Sequence, residues 1–280
     1  MNIANILNSG KKTLEVNNIS NPQLDSEILL CETIKKDKKY IVLNPEKTLD
    51  LQQFNRFENL IERRKQGEPI AYLTNKKEFW KYVFYVNEDV LIPRPDTELI
   101  IDQVLKIYSK KSQIQVLDMG IGSGCILLSL LKERANFYGT GIDISKKSIN
   151  VSKLNAKKLH ITNRVRFFHS CVDNFKIGKY DLIVSNPPYI KNIDLKYLDK
   201  NVVGFEPRLA LNGGLEGLSV IQKVIEKSSK LIKKNGTFVL EIAFDQKEKV
   251  VKILKKKGFF IKKIIKDLAN RDRCITAIKT

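Results

Sequence analysis

The chain has 280 residues, 42% hydrophobic and 29% charged, with a formal net charge of +19. It is long for one domain and comfortable for two, and no apolar stretch approaches the roughly 18 residues needed to span a bilayer. Four scattered cysteines (Cys31, Cys125, Cys171, Cys274) and two histidines (His160, His169) argue against a disulfide framework or a zinc site and leave His-dependent hydrolysis little to build on.

The first residues, Met1 to Ser9, lack a basic region followed by an apolar one, so no secretory signal is expected. With unpaired cysteines, a reducing cytoplasm fits. Residues 1–75 show helical spacing and no convincing strand. Leu24, Ile28 and Leu29, then Phe54, Phe57, Leu60 and Ile61, recur at three- and four-residue intervals. Asn21-Pro22 reads as a helix entry with proline in its first turn. A small helical domain is therefore expected, closed by Glu68-Pro69-Ile70-Ala71-Tyr72-Leu73.

Residues 76–98 read as a linker. Glu78 to Val86 is aromatic and β-branched, which predicts a hairpin with Trp80 in its core. The prolines of Leu91-Ile92-Pro93-Arg94-Pro95-Asp96-Thr97-Glu98 rule out a central strand. Thr97 or Asp96 can cap the helix beginning near Glu98. Arg94 either pairs with a carboxylate or steers a ligand.

Residues 99–280 alternate between the two periodicities. Strands are expected at 114–118, 138–143, 165–168, 182–184, 237–241, 259–261 and 274–278. Helices intervene, one opening at Cys125 and another carrying Ile149 and Leu154. Such alternation implies an α/β fold with a mostly parallel, right-handed sheet. The last two strands are joined by a loop without a clear helix, so they are expected to run antiparallel.

Two strand ends carry the chemistry. After the first strand, Asp118-Met119-Gly120-Ile121-Gly122-Ser123-Gly124 sets three glycines at alternate positions, where backbone N–H groups can approach a ligand closely. The spacing is not the dinucleotide fingerprint, and no Lys-Ser or Lys-Thr follows to cradle a phosphate. Asp143 lies 23 residues after Gly120, at the second strand's end, placed to accept from both hydroxyls of a ribose. Strand, glycine turn, helix, strand and terminal acid make an adenosyl site.

The run Tyr180 to Ser185 then reads as a buried strand that delivers Asn186-Pro187-Pro188-Tyr189 to its carboxyl end, where open α/β sheets bind ligands. The prolines hold Asn186 and Pro187 extended and offer no N–H, so carbonyl oxygens face the turn without competing donors. A planar NH2 group would meet two acceptors there, Asn186 Oδ1 and a backbone carbonyl, with Tyr189 as a flat face. The bland alternative is a loop punctuator.

With these residues in register, the chain resembles the bacterial protein-(glutamine-N5) methyltransferases that modify class 1 peptide chain release factors. The resemblance runs nearly end to end. It takes in 68–73, 92–98, the glycine turn, 183–190, Glu206-Pro207-Arg208-Leu209-Ala210-Leu211, Leu240-Glu241-Ile242 and 267–273. Pro95-Asp96-Thr97 separates it from ribosomal-protein-methylating relatives, and DNA adenine enzymes lack the flanking blocks. The chain departs at Ile121 (usually Thr), at Ala243 (usually Gly) and at Ser170-Cys171-Val172-Asp173, where an aromatic commonly stacks on adenine; Val172 is the best equivalent.

The resemblance implies a seven-stranded Rossmann-like methyltransferase domain with its last strand antiparallel, preceded by the helical domain, which helps recognise the substrate, and the hairpin. It implies S-adenosylmethionine as donor, S-adenosylhomocysteine as product and no metal. The acceptor is the glutamine amide of the release factor's Gly-Gly-Gln motif, serving translation termination. Gly120, Ile121, Gly122, Ser123, Gly124, Asp143, Val172 and Asn186 are expected at the cofactor, and Asn186, Pro187, Pro188 and Tyr189 at the substrate. Glu241 is open between the pocket wall, a cap and the surface.

The net charge leaves a second possibility, a nucleic-acid amine methyltransferase acting on adenine or rRNA, and a third, a ribosome-associated binder without catalysis. The lysines are spread through nearly every segment, with runs such as Lys35-Lys36 and Lys255-Lys256-Lys257 at expected helix ends. They form no dedicated patch in the sequence, and neither nucleic acid nor membrane is expected as an obligatory partner.

Overall fold

The computed structural model describes residues 1–108 and 113–280. The chain divides into two units, Met1–Lys76 with Asp199–Phe205, and Lys77–Leu198 with Glu206–Thr280.

The first unit is helical: α1 (Ile3–Val16), α2 (Pro22–Ile34), α3 (Lys38–Leu43), α4 (Leu51–Lys65) and α5 (Ile70–Thr74), with a single turn at Lys200–Val203. Asp50 opens α4 with a reciprocal cap to Gln53, as an acceptor side chain at this position should. Ile3, Ile6, Leu14, Leu29, Leu30, Phe57 and Ile61 form its core. Leu24, expected on that face, is 49% exposed, because the buried stripe of α2 runs through Asp25, Ser26, Leu29 and Leu30 instead. Asp25 is there to hold Arg64: Nε to Oδ2 is 2.7 Å, both groups are buried, and Arg64 also donates to the Glu68 carbonyl.

The second unit starts with the hairpin β1 (Lys77–Phe79) and β2 (Tyr82–Phe84), then α6 (Glu98–Ile107), β3 (Ile114–Met119), α7 (Cys125–Glu133), β4 (Phe137–Asp143), α8 (Lys146–Lys158), β5 (Val165–His169) and β6 (Tyr180–Ser185). It continues through α9 (Ser219–Leu231), β7 (Ile232–Glu241), α10 (Lys247–Lys256), β8 (Phe259–Lys266) and β9 (Asp272–Lys279). The sheet order is β5-β4-β3-β6-β7-β9-β8, with β9 antiparallel to both neighbours and the other pairs parallel.

Successive β3 residues feed opposite faces, as the two-residue period of a strand requires. Val116 packs with Ile100 of α6, Leu127 of α7 and Ile149 of α8. Leu117 and Met119 pack with Ile221 and Val224 of α9 and Val250 of α10. Helices therefore cover both faces, and the order reverses at β3, whose neighbours β4 and β6 lead away in opposite directions. A crevice opens at the carboxyl ends of strands around such a point.

Two sequence expectations change here. Thr97 precedes α6, but its side chain makes no cap hydrogen bond; it is 1% exposed and turned to another partner. Glu241 is neither surface nor cap: it closes β7 inside the protein at 1% exposure.

Candidate active site

The glycine turn is built by its dihedrals. Gly120, Gly122 and Gly124 have φ of 81°, 55° and 84°, a region that costs any residue with a Cβ. Around Gly120 and Gly122 an added Cβ would meet nothing, so the turn borders open space. The backbone is pinned from below: the amides of Gly120 and Ile121 both donate to the Ile142 carbonyl, at 2.9 Å. Asp143 holds the next step, its Oδ2 accepting from the Gly122 amide at 2.9 Å and its Oδ1 from the Ser145 amide at 2.8 Å. Burial raises its carboxyl above the ordinary range, and those amides oppose the rise.

Helix α8 supplies polar struts that the sequence reading missed. Ser152 donates to the Gly122 carbonyl at 2.7 Å and Asn155 to the Ser123 carbonyl at 2.9 Å. Asn155, 1% exposed, also exchanges two hydrogen bonds with the backbone of Tyr85, at 2.7 and 2.9 Å. Ser148 donates to the Asp89 carbonyl. The available signal was the spacing: residues 148, 152 and 155 lie on one helical face, which a search for apolar stripes passes over.

Beside the turn is a cavity of about 330 Å³, lined by Gly120, Ile121, Gly122, Ser123, Asp143, Val172, Asn186, Pro187 and Pro188, together with Arg94 and Thr97. That volume lies within the range of small-molecule sites. Seven of the eight residues expected at a cofactor and three of the four expected at a substrate thus line one space; Gly124, the eighth, is the N-cap of α7. Tyr189 is the exception among the four, not lining the cavity. Its hydroxyl donates to Glu241 Oε1 at 3.2 Å, and burial, followed by the charge of that carboxylate, pushes the phenol's pKa up.

Asn186 is held by its amide. Its Nδ2 donates to Thr97 Oγ1 at 3.0 Å, which leaves Oδ1 as the unengaged end among the described residues. Ser185 fixes the strand end just before it, donating to the Met119 carbonyl at 2.6 Å. Arg94 pairs with Glu206, whose other oxygen accepts from the Ile92 amide at 3.1 Å, so its role in tying the 92–94 and 206 segments together is structural.

Two buried carboxyls lie at these strand ends. Asp118 is fully buried, neither oxygen has a hydrogen-bond partner among the described residues, and burial pushes it up to about 7. Glu241 is also pushed to about 7 by burial, opposed by the hydroxyls of Thr97 and Tyr189 and by Arg273. A cavity with open glycine walls fits a ligand that needs close backbone approach.

Residues 5–74 match the PrmC N-terminal domain and residues 96–202 the methyltransferase small domain. A release factor glutamine methyltransferase of Caulobacter vibrioides is 34% identical over 272 residues, covering 97% of this chain and 94% of that protein. Another, from Buchnera aphidicola subsp. Baizongia pistaciae, is 39% identical over 229 residues, 82% of each chain. A bifunctional methyltransferase of Rickettsia bellii is 37% identical over 98% of this chain, which spans 54% of that longer protein. Among solved structures, a methyltransferase from Pyrococcus furiosus superposes with a TM-score of 0.54 at 17% identity, over 79% of this chain and 98% of that one, a likeness of fold.

Proposed function

The chain belongs to the family of release factor glutamine methyltransferases, and from that membership and its cavity we propose the reaction it carries out. It transfers a methyl group from S-adenosylmethionine to the side-chain amide nitrogen, N5, of the glutamine in the Gly-Gly-Gln motif of class 1 peptide chain release factors. The observation that carries this reading is the tethered Asn186, whose Nδ2 is engaged by Thr97 while Oδ1 remains unengaged on the wall it shares with the glycine turn.

S-adenosylmethionine supplies an electrophilic methyl carbon on a sulfonium. The backbone of 120–124, Asp143, Val172 and Asn186 are the groups to hold it. An amide nitrogen is a poor nucleophile because its lone pair is delocalised into the carbonyl. No strong base need act first, since the N–H becomes acidic as the new N–C bond forms. Orientation is what the protein must provide: both N–H bonds are taken, by Asn186 Oδ1 and the Pro187 carbonyl, and the lone pair is thereby aimed. Both hydrogen bonds strengthen as positive charge develops on nitrogen, which favours the transition state over the bound substrate. Pro187 and Pro188 bring no competing N–H to this slot. Tyr189 backs it through Glu241. The helical unit provides further contacts to the factor; its removal leaving factor affinity unchanged would refute that part.

The test is transfer of labelled methyl to a release factor, its Gln-to-Ala variant and nucleic acid, with Asn186→Ala as control. Label on the native factor alone, lost with either substitution, supports the reading. Label on nucleic acid would replace it with the amine alternative.

A further inference from the structure

Three loops meet near the carboxyl ends of β6 and β7, and one buried side chain bonds to all of them. Gln246, the residue before α10, is 2% exposed. Its Nε2 donates to the carbonyls of Tyr189 and Gly217, each at 3.1 Å, and its Oε1 accepts from the Ala243 amide at 3.0 Å. A carbonyl only accepts and a backbone amide only donates, so these partners fix which way round the side-chain amide stands. Both of its hydrogens are used. Gly217 comes this close because it lacks a side chain: an added Cβ would collide with the Tyr189 carbonyl oxygen and lie 2.8 Å from Gln246 Nε2.

The chain is held again one residue further on. The Gly213 amide donates to the Ile190 carbonyl at 2.8 Å, and the Ile190 amide to the Leu211 carbonyl at 3.1 Å. Of the carbonyls that follow Asn186, those of Tyr189 and Ile190 therefore have donors, whereas those of Pro187 and Pro188 have none among the described residues. Pro187 lines the cavity and Gln246 does not. At its start the turn is anchored by the side chains of Ser185 and Asn186. Between the anchors the two proline rings hold φ at about −65°. What is left to vary is the tilt of the intervening peptide planes, and the grip on Tyr189 removes it.

We propose that Gln246 is a positioning residue for methyl transfer: by holding the Tyr189 carbonyl it sets the direction of the Pro187 carbonyl, the second acceptor for the substrate NH2. The proposal rests on the glutamine reading above and adds to it the origin of the slot's second arm. Asn186 offers the first arm from a side chain, which turns about its own bonds. A backbone carbonyl can be aimed only by holding the chain on either side of it. Gln246 touches neither methyl nor acceptor nitrogen in this scheme; it acts through the backbone of 187–189.

The experiment compares the wild type, Gln246→Met, Asn186→Ala and the double variant. Gln246→Met keeps the length of the side chain and removes its hydrogen bonds. Steady-state transfer to the release factor, S-adenosylmethionine affinity by calorimetry and thermal unfolding are measured for each. The expected result is a kcat lowered about 10- to 100-fold in Gln246→Met, the scale on which a misplaced orienting group slows a reaction, with cofactor affinity retained. The double variant should lose less than the product of the two single losses, because both acceptors act as a unit on one NH2 group.

A merely structural glutamine would multiply its effect with that of Asn186→Ala. If Gln246→Met does not fold, Gln246→Glu is the second variant. It keeps an oxygen for the Ala243 amide but, charged or neutral, has at most one hydrogen to give where the amide has two, and the same pattern of loss is expected. An unchanged kcat in whichever variant folds, losses that multiply, or a fall in cofactor affinity that accounts for the fall in rate overturns the proposal. Wild-type methylation of the glutamine with loss in Asn186→Ala would show that the underlying reading survives that failure. No methylation of the factor by the wild type overturns both.

Discussion

Ile121 and Gly141 share one space: a Cβ added to Gly141 would lie 2.2 Å from Ile121 Cδ1, and Ile121 is 3% exposed. The isoleucine that departs from the family pattern in the glycine turn is thus accommodated by a bare backbone in the adjacent strand. Gly141→Ala should cost about 1–3 kcal/mol of stability through overpacking. Ile121→Val, which deletes the offending methyl, should recover much of that loss in the double variant. Chemical denaturation of the four proteins of the cycle checks this, and strictly additive losses would contradict it.

Asn186→Ala should lower kcat by about 10²–10³-fold, the range seen when one preorganised hydrogen-bonding group facing developing charge is removed. Thermal stability should change little, since Asn186 is only half-buried and its side chain makes a single hydrogen bond among the described residues, to Thr97. Single-turnover methyl transfer against melting temperature separates the two effects. A large fall in stability with an equal fall in activity would make Asn186 a structural residue.

Asn155→Ala should destabilise by about 2–4 kcal/mol, because it strands the Tyr85 amide and leaves the Tyr85 and Ser123 carbonyls without their donor in a buried setting. Hydrogen exchange should rise at both segments together, although they lie about 40 residues apart in the chain. Faster exchange confined to α8 would show that the strut carries no load.

Stability of the ligand-free protein should fall as pH rises from about 5 to 7. Asp118 and Glu241 titrate near 7 when folded and near 4 when unfolded, so over that window the folded state binds more protons. Each group then lowers stability by at most about 1.4 kcal/mol per pH unit. The groups facing Glu241 are Thr97, Tyr189, Arg273, Asp96, Cys125 and Cys274, and those facing Asp118 are Asp143 and Cys125. Glu27 and Glu32, where burial is outweighed by lysine partners, act in the opposite sense, but only below about 4.5. Melting temperatures across this range check the sign, and Asp118→Asn should flatten the slope. A ligand-free melting temperature that climbs between pH 5 and 7 would refute the assignment.

The strands were legible in the sequence wherever side chains are buried on both faces, as in β3 and β6, whose apolar runs carry no competing pattern. Their carboxyl ends, and with them the glycine turn, Asp143 and Asn186, follow directly. β8 was foreseen only at 259–261 because Lys262, Lys263 and Lys266 interrupt it; an edge strand tolerates such lysines on its solvated side. The start of β7 was hidden for a related reason, Lys233-Lys234-Asn235 reading as a turn, and Asn235 does adopt a positive φ of 62°.

Thr97 shows a different limit. Its place before a helix made capping the obvious role, and the competing partner lies 89 residues away in sequence. Tyr189 reads as a cavity face because its neighbours are, yet its hydroxyl bonds Glu241 and it does not line the cavity. A buried carboxyl has no local signature; it shows only once the strands are laid side by side.

The position of β9 has a consequence for how the molecule is made. It is the last strand along the chain, yet it lies inside the sheet, paired with β7 on one side and β8 on the other. During synthesis, at roughly 5–20 residues per second, the glycine turn and Asn186 leave the ribosome well before Cys274 arrives beside Glu241. Until then the carboxyl end of β7 has an open edge and its acid a path to water. The neutralising burial that separates Glu241 from an ordinary glutamate is therefore completed last, and a chain released a few residues short of β9 would carry every cavity residue in a domain whose sheet cannot close.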